Sequence, residues 1–222
     1  MDPLIAQREI FLTEDGSSTL KLLNFNEQFH SIHGALTESQ HIYIGAGFKK
    51  LAHLSEIKIL EIGFGTGLNA ILTFQENKSQ IIHYHAIEAY PLTPDEVQKL
   101  NYHRFLSEEE QNCFLKMHQN QQAINIHHHF HFKKEIAKIE DLLLPVNEYD
   151  LVYFDAFSPE TQPELWSETI FNKLALSMKA GGILVTYCAK GSVKRALKQA
   201  GFSVEGLPGP PGKREITRAL KN

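Results

Sequence analysis

Cysteine, positive charge and long apolar runs are all scarce in this chain. Its 222 residues include two cysteines, Cys113 and Cys188, and no C-x-x-C pair, so the sequence offers neither a disulfide framework nor a zinc signature. No apolar run is long enough to span a bilayer. The stretch Met1–Leu12 carries charged residues where a signal peptide would have its apolar core. These absences predict a cytoplasmic protein without a membrane partner.

The net charge is −4, because 26 acidic residues outnumber 22 basic ones. This balance is not that of a general nucleic-acid binder, so a nucleic-acid substrate would have to be held by a local basic face. Hydrophobic residues make up 42% of the chain and charged residues 22%, which is ordinary for a globular protein. The length fits one α/β domain with a decorated end.

The most informative stretch reads ILEIGFGTGLNA. The apolar run Ile57–Ile62 predicts a buried parallel strand, and a helical pattern begins at Leu68. Between them stand Gly63, Gly65 and Gly67, which can adopt backbone angles that other residues avoid and which lack a Cβ. A strand, a glycine loop and a helix N-terminus together predict a site where a nucleotide-like ligand contacts the backbone.

The spacing of these glycines is G-x-G-x-G, whereas a dinucleotide fingerprint is G-x-G-x-x-G. Glu61 precedes the first glycine by two positions, where a carboxylate would repel a pyrophosphate but would suit a cationic group. S-adenosylmethionine joins an adenosine to a cationic amino-acid tail, and E-x-G-x-G-x-G resembles motif I of the Rossmann-like methyltransferases. A glycine-rich turn of an ordinary α/β protein and an irregular dinucleotide site remain the alternatives at this point.

Two further carboxylates end predicted buried strands. The run Ile81–Ile87 ends in Glu88, about twenty positions past the glycines, where a ribose-binding carboxylate belongs. The run Leu151–Phe154 ends in Asp155, which is flanked by aromatic residues and a proline. Because ligands lie beyond the carboxyl ends of parallel strands, we expect both side chains to face the cleft that holds the glycines. The alternative for Asp155 is a carboxylate that caps a helix or satisfies a loop.

The N-terminal region predicts a hairpin over Arg8–Leu23, with an Asp-Gly pair at its turn. The stretch Asn26–Ala35 is dense in functional groups, but its two histidines lack a third convergent ligand and do not indicate a metal site. Thr37 and Gln40 form a capping box, which predicts a helix that begins near Glu38.

The second half of the chain alternates between helical and strand patterns. The predicted helices are Ser107–Gln122, Lys133–Leu144 and Glu164–Lys179. The first is polar and should face solvent, and Gly181-Gly182 should end the third. The predicted strands are Ala123–Phe132, Ile183–Cys188, Gly201–Leu207 and Glu215–Leu220. Four histidines in the first of these strands would point to alternating faces, so a solvated face fits them better than a metal site. The last two strands should form an antiparallel terminal hairpin.

Together these segments resemble one family, the methyltransferase domain of the bifunctional tRNA 5-methylaminomethyl-2-thiouridine biosynthesis proteins, in a stand-alone form without the oxidase half. The most specific match is Asp155–Pro159 followed by Gln162–Trp166. The other matching segments are Asp15–Ser17, Glu27–Ala35, Glu38–Ser39, Glu61–Asn69, Tyr149–Trp166, Ala180–Ser192 and Leu207–Ala219. Methyltransferases often have an acidic residue after strand three that meets the adenine amino group, and Phe130–Lys134 shows no counterpart.

The resemblance implies a class I Rossmann-like α/β fold with a mostly parallel seven-stranded sheet, helices on both faces and an N-terminal β-hairpin extension. Residues 1–56 would form the extension and residues 57–222 the methyltransferase core. It also implies the reaction, in which S-adenosyl-L-methionine methylates the 5-aminomethyl group of the wobble (2-thio)uridine in tRNA. The implied partners are the anticodon region of tRNA and a separate enzyme that makes the aminomethyl intermediate.

The expected site has three groups of residues. Asp155 is the catalytic candidate, because a carboxylate can accept hydrogen bonds from the amine, orient its lone pair and take the released proton. The expected cofactor-binding residues are Glu61, Gly63, Gly65, Gly67, Asn69, Glu88, Glu27, Ser39 and Asp155. The expected substrate-binding residues are Asp15, Ser17, His30, Phe157, Tyr187, Lys190, Arg195, Lys213 and Arg214. Of these, Phe157 and Tyr187 would stack a flipped uracil, and the four cations would contact tRNA phosphates or simply form a solvated face.

Two other functions remain open from the sequence. A small-molecule amine methyltransferase could use the same scaffold, since a fold does not fix a function. A non-catalytic module could bind adenosylmethionine or tRNA without chemistry, and would lose nothing when Asp155 is changed. A nicotinamide enzyme fits the glycine spacing less well than any of these.

Overall fold

The computed structural model describes residues 7–25, 27–120 and 122–222. The predictions for Met1–Leu12, Asn26–Ala35, Ser107–Gln122 and the 1–56 extension therefore lie partly outside the described residues. The strands are β1 Arg8–Leu12, β2 Ser18–Leu22, β3 Glu27–Gln28, β4 Glu56–Ile62, β5 Ile81–Glu88, β6 Ile124–His127, β7 Phe130–Ile136, β8 Tyr149–Phe154, β9 Met178–Thr186, β10 Phe202–Pro208 and β11 Glu215–Lys221. The α-helices are α1 Ala35–Ser39, α2 Leu68–Glu76, α3 Pro94–Lys99, α4 Glu108–Gln119, α5 Glu168–Ser177 and α6 Gly191–Gln199.

An eight-stranded sheet lies at the centre, in the order β10-β11-β9-β8-β4-β5-β7-β6. The five strands from β9 to β7 run parallel to one another. Strands β11, β10 and β6 each pair antiparallel with their neighbours. This arrangement confirms the predicted fold class and the terminal hairpin, and the sheet has one strand more than expected because β6 extends its edge.

The central strands bury side chains on both faces, which is why they read as continuous apolar runs in the sequence. Along β4, Ile57 and Ile59 belong to one core cluster, whereas Leu60 and Ile62 belong to the other. Helices α2 and α4 cover the first cluster, and α5 and α6 cover the second. No helix in the described ranges is both long and apolar enough to cross a membrane.

The predicted N-terminal hairpin is confirmed, since β1 and β2 pair antiparallel and β3 adds a third strand. The next helix begins at Ala35, not near Glu38, and Thr37 does not cap it. The reason is a longer-range contact: the Asp15 carboxylate accepts hydrogen bonds from the Thr37 backbone N–H and hydroxyl, both at 2.9 Å. A π-helix, Gln40–Gly47, and a 3₁₀ turn follow α1 directly.

The histidine-rich stretch is a hairpin, not one strand. Strand β6 ends at His127, a turn follows, and β7 begins at Phe130. The predicted helix Lys133–Leu144 is wrong, because its first residues continue β7 and pair with β5, with Lys133 opposite His85. Backbone pairing within the sheet here overrides a local amphipathic pattern.

The predicted helix Glu164–Lys179 is also too long. Its first residues form a 3₁₀ turn, and α5 begins after Ser167, whose side chain accepts a hydrogen bond from the Ile170 N–H. The helix ends at Ser177, and Gly181-Gly182 lie within β9, where the register against β8 shifts. Helix α4 is confirmed, but it is not only solvent-facing, because three of its side chains are buried: Cys113, Phe114 and Met117.

Candidate active site

The glycine-rich loop from β4 to α2 closely approaches the end of β8. Gly63, Gly65 and Gly67 have φ angles of 87, 51 and 75°, a region that favours glycine. A Cβ on Gly63 would lie 2.4 Å from the carbonyl oxygen of Asp155. The loop can therefore lie this close to the strand end only because a glycine stands at this position. The Gly63 N–H also donates to the Ile87 carbonyl at 3.0 Å, which ties the loop to β5.

Asn69, in the first turn of α2, joins two carboxylates. Its Nδ2 donates to Glu61 Oε1 at 3.0 Å and to Asp155 Oδ2 at 2.8 Å. Glu61 is fully buried behind the cleft surface, whereas Asn69 and Asp155 line the cleft. Asn69 Oδ1 has no hydrogen-bond partner among the described residues. A buried acceptor without a partner beside an open cleft is suited to a ligand that brings a donor.

Both carboxyl groups have raised pKa values. Burial raises the pKa of Glu61 well above its ordinary value; the Asn69 hydrogen bond opposes this, and the nearby Asp155 charge adds to it. Burial likewise raises the pKa of Asp155 to about 7, while hydrogen bonds from Tyr43 and Asn69 oppose the rise and Glu38 adds to it. A carboxyl that titrates near neutral pH is suited to accept a proton from a reacting group.

Glu88 lies at the end of β5, beside the glycine loop. Its Oε2 accepts the Gly65 N–H at 2.7 Å, and its Oε1 accepts the Tyr90 N–H at 2.6 Å. Each carboxylate oxygen keeps a second lone pair, and the residue lines the cleft. Glu88 is therefore placed where the sequence predicted it, within reach of hydroxyl groups in the cleft.

Two residues that the sequence prediction missed surround Asp155. The hydroxyl of Tyr43 donates to Asp155 Oδ1 at 2.6 Å. Glu38 is 6% exposed, and its Oε2 accepts the Ser31 N–H at 2.7 Å. No local signal marks them, because polar and apolar residues are mixed throughout Ala35–Gly47.

Aromatic side chains form one wall of the cleft. The Phe157 ring packs edge-on against Phe29, with 5.0 Å between ring centroids. The indole N–H of Trp166 donates to the Phe157 carbonyl at 2.8 Å, which fixes the backbone of this loop. The Tyr187 hydroxyl donates to the Ala156 carbonyl at 3.0 Å. Phe29, Phe157 and Tyr187 line the cleft, so a flat ligand has aromatic surface to contact.

Hydrogen bonds and an ion pair join the N-terminal segment to the loop after β8 and to the loop between β10 and β11, beside this wall. Glu27 on β3 accepts hydrogen bonds from the hydroxyls of Ser158 and Thr161 in the loop after β8. Lys213 lies 3.2 Å from Glu38 Oε1, and its ammonium is 4.6 Å from the centroid of the Tyr187 ring. Both Glu27 and Lys213 line the cleft.

His30 also lines the cleft and is 9% exposed. Its Nδ1 lies 2.8 Å from the Thr19 hydroxyl. Burial lowers the pKa of His30 to about 4, although the nearby carboxylates of Glu38 and Asp15 act in the opposite direction. His30 is therefore neutral at physiological pH.

Three predicted site residues lie off the cleft in the N-terminal segment: Asp15, Ser17 and Ser39. Burial by itself would raise the pKa of Asp15, but hydrogen bonds from Ser17, Thr37 and Thr13 lower it to about 2. These contacts anchor the hairpin turn to the start of α1. Ser39 is fully buried, and its hydroxyl has no partner among the described residues. A role of these residues in binding stays a prediction.

The predicted cations are dispersed. Lys190 forms an ion pair with Glu160, and Arg195 and Arg214 are exposed. None of these three lines the cleft, nor does Gly67, which is the N-cap of α2. Lys213 alone among the predicted cations reaches the cleft wall.

The third strand of the parallel sheet ends later than the sequence suggested. Strand β7 runs through Ile136, so Phe130–Lys134 is strand interior, and the segment Ala137–Glu140 lines the cleft. Glu140 is thus an acidic residue at this strand end, which the erroneous helix over 133–144 concealed. No histidine of the β6–β7 hairpin lines the cleft, and no group of three or more His, Cys, Asp or Glu side chains within the described ranges could hold a metal ion.

Residues 93–222 match the model of a family described as S-adenosyl-L-methionine-dependent methyltransferases. The chain belongs to this methyltransferase family. The family's cofactor is S-adenosyl-L-methionine, as the glycine loop and Glu61 predicted.

Two curated relatives cover most of this methyltransferase chain. The tRNA 5-methylaminomethyl-2-thiouridine biosynthesis bifunctional protein MnmC of Cupriavidus metallidurans is 30% identical over 99% of the chain and 34% of the relative. The protein of the same name from Campylobacter hominis is 30% identical over 90% of the chain and 31% of the relative. The chain thus spans about a third of the length of these relatives.

Solved structures show the same fold. MnmC2 from Aquifex aeolicus superposes with a TM-score of 0.79 at 24% identity, covering 98% of this chain and 71% of that one. Spermidine synthase from Thermotoga maritima superposes with a TM-score of 0.61 at 14% identity, covering 97% and 69%.

The residues of the cleft fit S-adenosyl-L-methionine. The glycine loop lines the cleft with backbone at Gly63 and Gly65, and Glu88 offers acceptors at the end of β5. Asp155 and the unpartnered Asn69 Oδ1 offer acceptors for a cationic amino-acid tail. Glu61 lies behind them and accepts a hydrogen bond from Asn69.

Proposed function

We propose that this methyltransferase transfers a methyl group to the primary amine of 5-aminomethyl(-2-thio)uridine at the wobble position of tRNA. The observation that carries the proposal is Asp155, a carboxylate with a pKa near 7 that lies between the glycine loop and an aromatic wall. The printed names of the curated relatives support the substrate, because they concern the biosynthesis of the methylated form of this nucleoside.

On this proposal the cofactor is held by the glycine loop, with Glu88 accepting hydrogen bonds from its ribose and Asn69 and Asp155 facing its amino-acid end. Glu61 acts from behind through Asn69, and Glu140 is the candidate for the adenine amino group. When bound, the cofactor supplies an electrophilic methyl group on a sulfonium. The chain supplies alignment of the amine with that methyl group, which lowers the barrier by fixing the reacting geometry in advance.

The amine must be neutral to attack. Asp155 accepts a hydrogen bond from the amine and directs its lone pair toward the methyl group. The bound cofactor would supply the methyl group for the new N–C bond and would take up the electron pair of the broken C–S bond, and Asp155 would accept the proton that the nitrogen gives up. A pKa of about 7 lets Asp155 be ionised before the step and release the proton to solvent afterwards.

The aromatic wall suits the uracil ring of a nucleotide that has left its stack. Phe157 and Tyr187 line the cleft on the side of Asp155, and base–aromatic stacking is worth about 1–3 kcal/mol per base. His30 is neutral and so would act as a hydrogen-bonding group toward the base. The segment up to residue 56 would serve as an extension that closes this side of the residue 57–222 core.

We also propose that tRNA phosphates contact the exposed Arg195 and Arg214, with Lys190 and Lys213 exchanging their present carboxylate partners for phosphate. A separate enzyme that makes the aminomethyl nucleoside is a further proposed partner. The cytoplasm, where tRNA is modified, is the compartment that this function requires.

The test uses labelled S-adenosyl-L-methionine and tRNA from cells that accumulate the 5-aminomethyl wobble nucleoside. Digestion of the tRNA should yield the methylaminomethyl nucleoside with wild type, and Asp155→Asn should lower the rate by about 10²–10⁴-fold. Asp95→Asn, an exposed carboxylate of α3, is the control and should keep wild-type activity. Cofactor binding without product on this tRNA would contradict the proposal.

One observation favours a second candidate, a small-molecule amine as substrate. Two of the four proposed phosphate contacts, Lys190 and Lys213, are already paired with Glu160 and Glu38. A small amine would need no basic face, so the charge reversals Arg195→Glu and Arg214→Glu, at exposed residues off the cleft, would leave its methylation intact while abolishing that of tRNA.

A further inference from the structure

The phenol of Tyr43 contacts the carboxylate on which the proposed reaction depends. Tyr43 is 1% exposed, and its hydroxyl donates to Asp155 Oδ1 at 2.6 Å. Asn69 donates to the other oxygen, Oδ2, at 2.8 Å. With one neutral donor on each oxygen, the carboxylate plane is fixed, and the second lone pair of each oxygen is left for the ligands in the cleft.

The backbone around Tyr43 is unusual. Tyr43 lies in the middle of the π-helix Gln40–Gly47. This conformation is rare in proteins, and where it occurs it is often at a functional site. The segment packs closely on the sheet through Gly47, where an added Cβ would lie 3.1 Å from Val185 and 3.3 Å from the ring of Tyr153. The rings of Tyr43 and Tyr153 are 5.3 Å apart, edge to face. The π-helix thus holds the phenol in one place above the end of β8.

A hydrogen bond to the charged form of a carboxyl favours that form. Burial raises the pKa of Asp155, and the hydrogen bond from the Tyr43 hydroxyl lowers it. Groups on each surrounding element also shift the pKa of Asp155 or have their own pKa shifted by its charge. They are Glu38 of α1, Glu61 of β4, Asn69 of α2, Tyr187 after β9, and Lys213 of the β10–β11 loop.

We propose that Tyr43 is a positioning residue that holds Asp155 ionised and oriented to accept the proton of the attacking amine. This inference rests on the proposed function, because it assigns Asp155 the role of proton acceptor. It extends that function to a residue outside the Rossmann-like core, on a segment that precedes β4. The donor on Oδ1 sets the pH at which the enzyme works, whereas the glycine loop sets cofactor binding.

The first measurement is the titration of Asp155 in the free protein, followed through the ¹³Cγ shift of labelled aspartate and assigned with Asp155→Asn. Tyr43→Phe should raise the titration midpoint by about one pH unit, because the charged form loses a donor. The matched control is Tyr153→Phe, which removes a buried hydroxyl bonded to Thr73 at 3.1 Å and should leave the midpoint unchanged.

The second measurement is the pH profile of kcat on the aminomethyl tRNA. At pH 7 Tyr43→Phe should lower kcat about fivefold, because a one-unit rise takes the ionised fraction of Asp155 from about half to about a tenth. At pH 9 the two profiles should converge, and KM for the cofactor should not change. An unchanged midpoint, or a loss of kcat that is the same at every pH, would overturn the inference.

The two proposals fail differently. If wild type forms no methylaminomethyl nucleoside, the proposed function is wrong, and the ¹³C titration still reports whether Tyr43 controls Asp155. If wild type is active and Tyr43→Phe keeps its midpoint and profile, the reaction stands and the role of Tyr43 is wrong.

Discussion

The two halves of the cleft are built differently. The proposed cofactor half, Gly63–Thr66 with Asn69 and Glu88, comes from one continuous strand–loop–helix–strand unit, β4 to β5. The proposed substrate half, Phe157, Tyr187 and Lys213 together with Tyr43, which donates to Asp155, comes from four segments that are distant in the chain. In the first half, neighbouring backbone groups fix the geometry. In the second, each side chain is held by a partner from another segment, as Lys213 is by Glu38.

This difference separates what the fold provides from what this family adds. A glycine loop at a strand end is common to nucleotide-binding α/β sheets and supplies a cofactor site wherever it occurs. The substrate half depends on the N-terminal segment and on the loop between β10 and β11, which the core fold does not require. Changes in the first half should therefore affect cofactor binding, and changes in the second should affect only the acceptor.

The largest effect should follow Gly63→Ala. The new Cβ would lie 2.4 Å from the Asp155 carbonyl oxygen, at a φ of 87°. Relief of this clash displaces the loop that lines the cleft, so cofactor affinity should fall by about 10–100-fold in a calorimetric titration. Gly181→Ala, with a φ of 76° and no atom within 4 Å of the new Cβ, should lose stability without losing affinity. If both variants lost affinity equally, the strain of alanine at a positive φ would explain the loss, and the contact with the Asp155 carbonyl would not.

The next effect concerns support beneath the glycine loop. Lys134 is 2% exposed; its ammonium donates to the His118 carbonyl at 2.5 Å and lies 5.1 Å from the Phe64 ring centroid. His118 in turn lies 3.0 Å from the Thr66 carbonyl. Lys134→Met leaves a buried helix-end carbonyl unpaired, which should cost about 1–3 kcal/mol of unfolding free energy in urea.

The control for this variant is the preceding residue, Lys133, which lies on the opposite face of the same strand. Lys133 is exposed, and Lys133→Met should change the unfolding free energy by less than about 0.5 kcal/mol. An unchanged or raised stability of Lys134→Met would show that relief from burying the cation outweighs the lost hydrogen bond. The cofactor half would then not depend on the Lys134 ammonium for its stability, which would sharpen the contrast between the halves.

The smallest effect should follow the exposed cations. Arg195→Gln and Arg214→Gln should together raise KM for tRNA severalfold and lower the salt dependence of binding by about two phosphate contacts. Cofactor affinity should not change in a calorimetric titration. Lys116→Gln, an exposed cation on α4, is the control and should leave KM as it is. If KM for tRNA is unaffected by the arginine changes, the substrate half ends at the cleft wall and the small-amine candidate gains support.

Several of the predicted cofactor residues meet at one end of the cleft because the signals that mark them are local. Spacing of the glycines, Glu61 before them and Glu88 after the next strand can all be recognised within one stretch, and Asp155 follows from the end of a buried strand. Tyr43 was missed because nothing near it in sequence marks a residue that meets Asp155, 112 positions away. The helix predicted over 133–144 failed for the same reason, since the ladder between β7 and β5 decides that segment.

The order of strands in the sheet also differs from their order of synthesis. Strand β11 lies between β9 and β10, although both are made before it. During translation β10 therefore has no neighbour to pair with, and Lys213, in the loop that precedes β11, cannot yet reach Glu38. A nascent chain that has completed β4–β9 holds the glycine loop but lacks the last strand that links β10 to the sheet.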